Sequence, residues 1–303
     1  MGSSFQSGKQ TKQILVLGHK GMLGRAVCKY FEYHSKYEVI TCPYRAPSKA
    51  FSKFIRDNFL KVSAIINCIG AIPQKTKDFS INYQLPQFLA RLSLEGGNQL
   101  YSTKIIHPTT DCEFSGDQYD FNVDGLATKD FPDPKDDYGR SKVLGSKAIV
   151  DNKAGYVIRS SIVGLSEGYL GKSLLDWAAS QLAAGNTIKG YVNAKWNGIT
   201  VLEWAKAAHA IIESGPSFGS PSGDLMLQIG TEKISKYDLL CKFQKVFQLG
   251  GKIELVSQPT CFRWLKHEFD YPNRVPFIEY QLNEYKTFLE SEGRNIFSEQ
   301  EWS

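Results

Sequence analysis

A strand-like run, a glycine-rich turn and a helix-like stretch follow one another at the start of this chain, and few architectures accommodate that order. Gln13 to Leu17 is continuously apolar after its first residue, as a parallel strand buried on both faces would be. Gly18-His19-Lys20-Gly21-Met22-Leu23-Gly24 comes next. Beyond the turn, Met22, Leu23, Ala26, Val27, Tyr30 and Phe31 recur at helical spacing. G-x-x-G-x-x-G at such a place lets a pyrophosphate approach the backbone closely. The helix N-terminus then supplies N–H groups and the positive end of its dipole. The pattern predicts a dinucleotide held by Gly18, Lys20, Gly21, Met22, Leu23 and Gly24.

The alternation continues. Glu38 to Cys42, Ala64 to Ile69, Lys104 to His107 and Tyr156 to Arg159 read as strands. Helices are expected near 48–58, 79–95 and 138–150. Strand, helix, strand, helix is the pattern of a doubly wound parallel sheet, so the fold class is α/β and Rossmann-type. We expect an unstructured tail over residues 1–12, which carries no apolar core of a secretory signal. The dinucleotide-binding domain is expected over 13–165 and a smaller C-terminal α/β substrate-binding lobe over 166–303, with elements free to interleave. Within that lobe, 172–184 and 201–213 read as amphipathic helices and 225–229 as a strand. Ser235-x-x-Asp238 opens another helix, and 215–223 is a surface loop.

No run of 18 apolar residues is present, so no membrane span is expected. The net charge of +5 is spread along the chain and forms no basic run, which argues against a nucleic-acid partner. Cys28, Cys42, Cys68, Cys112, Cys241 and Cys261 include no C-x-x-C pair, and a reducing, cytoplasmic setting suits them better than a disulfide framework. No histidine has ligand-like spacing to other donors, so no metal is expected. His107 reads as a packed strand residue.

Two further groups of residues carry chemistry. Tyr138-Gly139-Arg140-Ser141-Lys142 puts a phenol and an ammonium one helical turn apart on the same face. A free tyrosine has a pKa near ~10, and a lysine charge beside it favours the phenolate, giving a general acid tuned towards working pH. At the end of the second strand, Cys42-Pro43-Tyr44-Arg45 lacks the acid that binds an unphosphorylated ribose. Arg45 either pairs with a 2′-phosphate, which would select NADPH over NADH, or is a solvated loop charge.

Taken together, these motifs resemble the extended short-chain dehydrogenase/reductase superfamily, and within it the dTDP-4-dehydrorhamnose reductase family of sugar-nucleotide reductases. The resemblance also draws on Ile66 to Gly70, Ile81-Asn82, Thr110-Asp111-x-x-Phe114-x-Gly116, Val157 to Ser161 and Trp196 to Thr200. It implies that Tyr138 protonates a 4-keto oxygen, that Lys142 lowers the Tyr138 pKa and holds the nicotinamide ribose, and that Thr110 hydrogen-bonds the same keto group. Cys68, Gly70 and Ala71 would line the cofactor, and Asn82 would kink a helix around a structural water.

Asp111, Cys112, Lys172, Trp196 and Asn197 are candidates for the nucleotide-sugar substrate, with Arg274 behind them. Cys112 stands where the 4,6-dehydratases of the superfamily carry a catalytic glutamate, which argues against dehydration. GDP-fucose synthases place a cysteine there for epimerisation but also need a histidine after the sixth strand, and residues 162–208 contain none. Glu113 stands where the family has an apolar residue, and Ile162 follows Ser160-Ser161 where it often has a tryptophan. The implied activity is NADPH-dependent reduction of a nucleotide-linked 4-keto-6-deoxy sugar in deoxysugar biosynthesis. An epimerase, a bifunctional epimerase/reductase and a non-catalytic NADP-binding regulatory subunit are the alternatives. A homodimer is expected by analogy.

Overall fold

The computed structural model describes residues 11–95, 103–117, 125–166, 173–214, 225–268 and 275–292. Its first half alternates as expected: β1 (Gln13–Leu17), α1 (Met22–His34), β2 (Glu38–Thr41), α2 (Lys49–Asn58), β3 (Ala64–Asn67), α3 (Ile81–Glu95), β4 (Lys104–Thr109), α4 (Asp137–Val150) and β5 (Gly155–Arg159). Then come β6 (Ile162–Val163), α5 (Leu174–Ala183), β7 (Thr187–Tyr191), β8 (Ala194–Trp196), β9 (Ile199–Thr200), α6 (Val201–Ser214) and β10 (Met226–Gln228). The last elements are β11 (Ile234–Ser235), α7 (Lys236–Phe247), β12 (Lys252–Val256), β13 (Cys261–Phe262) and α8 (Ile278–Ser291).

Six strands form one parallel sheet in the order β2-β1-β3-β4-β5-β10. Successive side chains of a strand point to opposite faces, and β1 shows why its sequence is apolar throughout. Ile14 and Val16 pack in a core with Val27 and Phe31 of α1 and Trp204 of α6. Leu15 and Leu17 pack on the other side with Phe51 and Ile55 of α2 and Leu85 and Leu89 of α3. From β1 the chain steps to β2 on one side, and β3 then lies on the other. A crevice opens at the carboxyl ends of the strands where the direction reverses.

The second half returns to this sheet. β10 pairs with β5, and α6 lies on α1, where the Tyr30 hydroxyl and His209 Nδ1 are 3.1 Å apart. The two lobes therefore interleave across residue 165. Lys12, the last residue of the expected tail, has its carbonyl accepting the Glu38 N–H at 2.9 Å; residues 1–10 lie outside the described residues. The loop expected at 215–223 lies outside them too. Capping boxes open α5 (Ser173 with Asp176) and α7 (Ser235 with Asp238). Among the described residues no helix is long and apolar enough to cross a membrane.

Candidate active site

The site is built on α4. Asp136 caps the helix by accepting the Gly139 N–H at 2.7 Å. Four-residue spacing puts Tyr138 and Lys142 on the face turned to the crevice. Gly139 between them lets the helix close on the end of β4: a Cβ there would lie 2.3 Å from the Cys112 carbonyl oxygen. The Lys142 ammonium donates to the Pro108 carbonyl at 2.7 Å. Thr110 and Tyr138 both line the cleft beside Lys142. The Thr110 hydroxyl donates to Asp111 Oδ1 at 2.9 Å and accepts the Cys112 N–H.

The crevice holds a cleft of about 430 Å³. Gly21, Met22, Leu23, Cys68, Gly70, Ala71 and Asn82 line it on the β1–β3 side, and Thr110, Asp111, Cys112, Tyr138 and Lys142 on the β4–α4 side. Asn82 makes specific protein contacts: it accepts the Ala71 N–H at 2.7 Å and donates to the Ala71 carbonyl and to Ser141 Oγ, both at 3.0 Å. It thus ties the exit of β3 to α4. Gly18 and Gly24 shape the turn from within: Gly18 has φ +79°, and a Cβ on Gly24 would lie 2.2 Å from the Gly18 carbonyl oxygen. The α1 N-cap is Gly21, which has no side chain to cap with, so among the described residues N–H groups of the first turn are left for a ligand at the cleft. A dinucleotide pyrophosphate fits that end of the helix. Lys20 and Arg45 are exposed, at the turn and beyond β2.

Two expected substrate contacts are corrected. Trp196 is buried, and its indole N–H donates to Ser161 Oγ at 2.7 Å. Asn197 is spent on backbone: its amide donates to the Leu265 carbonyl at 2.7 Å and its oxygen accepts the Leu265 N–H at 2.9 Å. Neither lines the cleft: Trp196 ties the second lobe to the segment after β5, and Asn197 braces the second lobe internally. Lys172 and Arg274 lie outside the described residues. Ser160, Ser161 and Asp136 line the cleft without having been singled out as site residues. Their signal was positional, since the two serines directly follow β5 and Asp136 directly precedes α4. His107 is packed as expected, with its Nδ1 3.1 Å from Asn67 Nδ2. Among the described residues no group of three or more His, Cys, Asp or Glu is placed to hold a metal.

The electrostatics correct the expectation for Tyr138. Burial raises its pKa well above the usual phenol value, with the neighbouring Cys112 and Asp111 adding to the rise; the Thr110 hydroxyl opposes it. Lys142 is itself buried, which pulls its ammonium down to about 8 even though Glu113 and Cys112 hold it up. Burial and then the Asp111 carboxylate push the Cys112 thiol up to about 12, although Arg263 Nη1 lies 3.2 Å from its sulfur.

This geometry has counterparts. The family model described as RmlD substrate binding domain matches residues 12–183, more than half of the chain. The chain belongs to that family. Among solved structures it is similar to dTDP-4-dehydrorhamnose reductase of Clostridium acetobutylicum (18% identical, TM-score 0.68, covering 92% of this chain and 99% of that one). The same enzyme of Bacillus anthracis, in complex with NADP, is 13% identical with a TM-score of 0.69, over 93% of this chain and 99% of that one. UDP-N-acetylglucosamine 4-epimerase of Bacillus cereus is 16% identical with a TM-score of 0.68, over 96% and 100% of the two chains. These likenesses show the fold, that of the Rossmann-type short-chain dehydrogenase/reductases.

Two curated relatives are more partial matches. A protein named probable low-salt glycan biosynthesis reductase, from Haloferax volcanii, is 27% identical over 57% of this chain and 61% of that protein. Methionine adenosyltransferase 2 subunit beta of Bos taurus is 24% identical over 48% of this chain and 45% of that protein. The chain thus spans less than two thirds of the length of either. Family and fold agree: the family model and the solved structures both match an α/β chain of this kind.

Proposed function

We propose that this chain reduces the keto group of a nucleotide-linked 4-keto-6-deoxy sugar with NADPH, as a dTDP-4-dehydrorhamnose reductase does, in deoxysugar biosynthesis. One observation carries the reading: a phenol, a hydroxyl and an ammonium converge in a single cleft with the uncapped N-terminus of α1. The nicotinamide, when bound, supplies a hydride. Thr110 and Tyr138, which line the same cleft, would together receive the keto oxygen. Tyr138 holds its proton at neutral pH, as a general acid must, and gives it up as negative charge develops on that oxygen. Lys142 places a positive charge beside the phenolate that forms. Alignment of the reactants in the cleft supplies much of the rate.

Reduction suits the site better than epimerisation by removal of a carbon-bound proton, because a Cys112 thiol pushed up to about 12 stays protonated and cannot serve as the base. Net NADPH consumption separates the two, since a pure epimerase returns its hydride. Arg45 beyond β2, where an NAD-selective site carries an acid, supports NADPH. The described cysteines are free, which suits a reducing compartment such as the cytoplasm. The test is Tyr138→Phe, which should lower turnover by ~10²-fold or more and leave NADPH binding intact. Near-normal turnover would refute the mechanism. The bovine relative, named as a subunit, favours a second reading, a cofactor-binding regulatory subunit; tight NADPH binding with no turnover on any keto-sugar nucleotide would establish it.

A further inference from the structure

Beneath the catalytic segment lies a charge network that the mechanism above does not use. Glu113 and Arg159 are 1% and 3% exposed and form an ion pair, with Arg159 Nε and Nη2 both 2.8 Å from Glu113 Oε2. The other carboxylate oxygen accepts the Thr109 hydroxyl at 2.6 Å. It also accepts the hydroxyl of Ser146, which shares its proton with the Lys142 carbonyl 2.8 Å away. Arg159 continues the network by donating to Gln228 Oε1 at 3.1 Å, and its guanidinium lies 4.9 Å from the centre of the Phe114 ring. Glu113 is therefore bound at once to the end of β4, the end of β5 and the turn of α4 that carries Lys142.

A buried ion pair adds little net stability once desolvation is counted. What this one holds in place accounts for it better. The groups around Lys142 are His107 on β4, Cys112 and Glu113 after it, and Tyr138 on its own helix. Asn82 on the neighbouring α3 is neutral. Glu113 is the carboxylate among them, and it stands at the position where the family resemblance leads one to expect an apolar residue.

We propose that Glu113 is a positioning residue for Lys142: anchored by Arg159, it fixes the α4 turn through Ser146 and supplies the negative charge that keeps the ammonium charged inside the protein. The proposal rests on the keto-reductase reading for what Lys142 does, but the measurement of its charge does not require turnover. Competitive labelling of the full chain with acetic anhydride across pH, read at Lys142 by peptide mass spectrometry, gives the midpoint of its titration. In the unaltered protein that midpoint should fall at about 8. Glu113→Gln keeps the shape and removes the charge; the midpoint should drop by ~1 unit, and Glu113→Asp should restore part of the drop. An unchanged midpoint in Glu113→Gln would overturn the proposal.

Should that variant fail to fold, Glu113→Gln with Arg159→Met is compared with Arg159→Met alone, so that the guanidinium is absent from both; the midpoint should be lower in the double variant, and equal midpoints would overturn the proposal. Ser146→Ala tests the positional part, because it cuts the link to α4 and leaves every charge in place. Turnover should then fall several-fold with KM for the sugar nucleotide little changed, and unchanged turnover would contradict that part. If the unaltered protein turns over no sugar nucleotide, the reductase reading fails, and the labelling still decides the role of Glu113.

Discussion

Tyr138 keeps its proton at neutral pH because burial, and then the neighbouring Cys112 and Asp111, disfavour the phenolate. That is the form a proton donor needs. On the proposed mechanism Lys142 would set the alkaline limit: its ammonium loses its proton as pH rises through about 8, and with it would go the charge that stabilises the forming phenolate. We expect kcat for reduction to hold below that pH and to fall above it, measured from pH 6 to 10. A kcat that stays level to pH 10 would separate Lys142 from the chemistry. Arg45 carries a second prediction at this scale. Arg45→Ala should weaken NADPH by ~10-fold or more and leave NADH unchanged, since a charge-assisted contact to the 2′-phosphate would be lost. Equal weakening of both cofactors, read by fluorescence titration, would show that Arg45 does not read the phosphate.

Close approach at glycines decides whether the elements can meet at all. Gly24→Ala would drive a methyl group into the Gly18 carbonyl, backbone that cannot swing aside. We expect a loss of stability on the order of 1–3 kcal/mol, seen as a lower Tm, together with weakened NADPH binding. A variant that binds NADPH normally would show that the turn has room to relax. The elements of the first half were legible because each has a clear period: β1 is continuously apolar, α1 repeats at helical spacing, and Ser235 and Asp238 announce α7. The short strands β6, β8, β9, β11 and β13 have two or three residues each, too few to show any period. Trp196 and Asn197 misled for a different reason. An aromatic and an amide after a strand look like ligand contacts, yet Asn197 is consumed by the Leu265 backbone, 68 residues away in sequence. Burial likewise reversed the direction expected for Tyr138, because spacing along a helix gives proximity and says nothing about solvent.

At the scale of the whole molecule, the second half is pinned to the first at its catalytic edge. Gln228 of β10 accepts from Arg159 and donates to the Leu126 and Lys266 carbonyls, and Leu126 and Leu265 form a β-bridge. The ends of β4 and β5 that form the site are therefore braced by segments about 100 residues further along the chain. The central claim is that this site transfers a hydride to a keto-sugar nucleotide. Its most direct test is to follow NADPH absorbance while the full chain meets a panel of 4-keto-6-deoxy sugar nucleotides on dTDP, UDP and GDP. The account predicts stoichiometric NADPH oxidation with at least one member, abolished in Tyr138→Phe. No oxidation across the panel by protein that binds NADPH would contradict it.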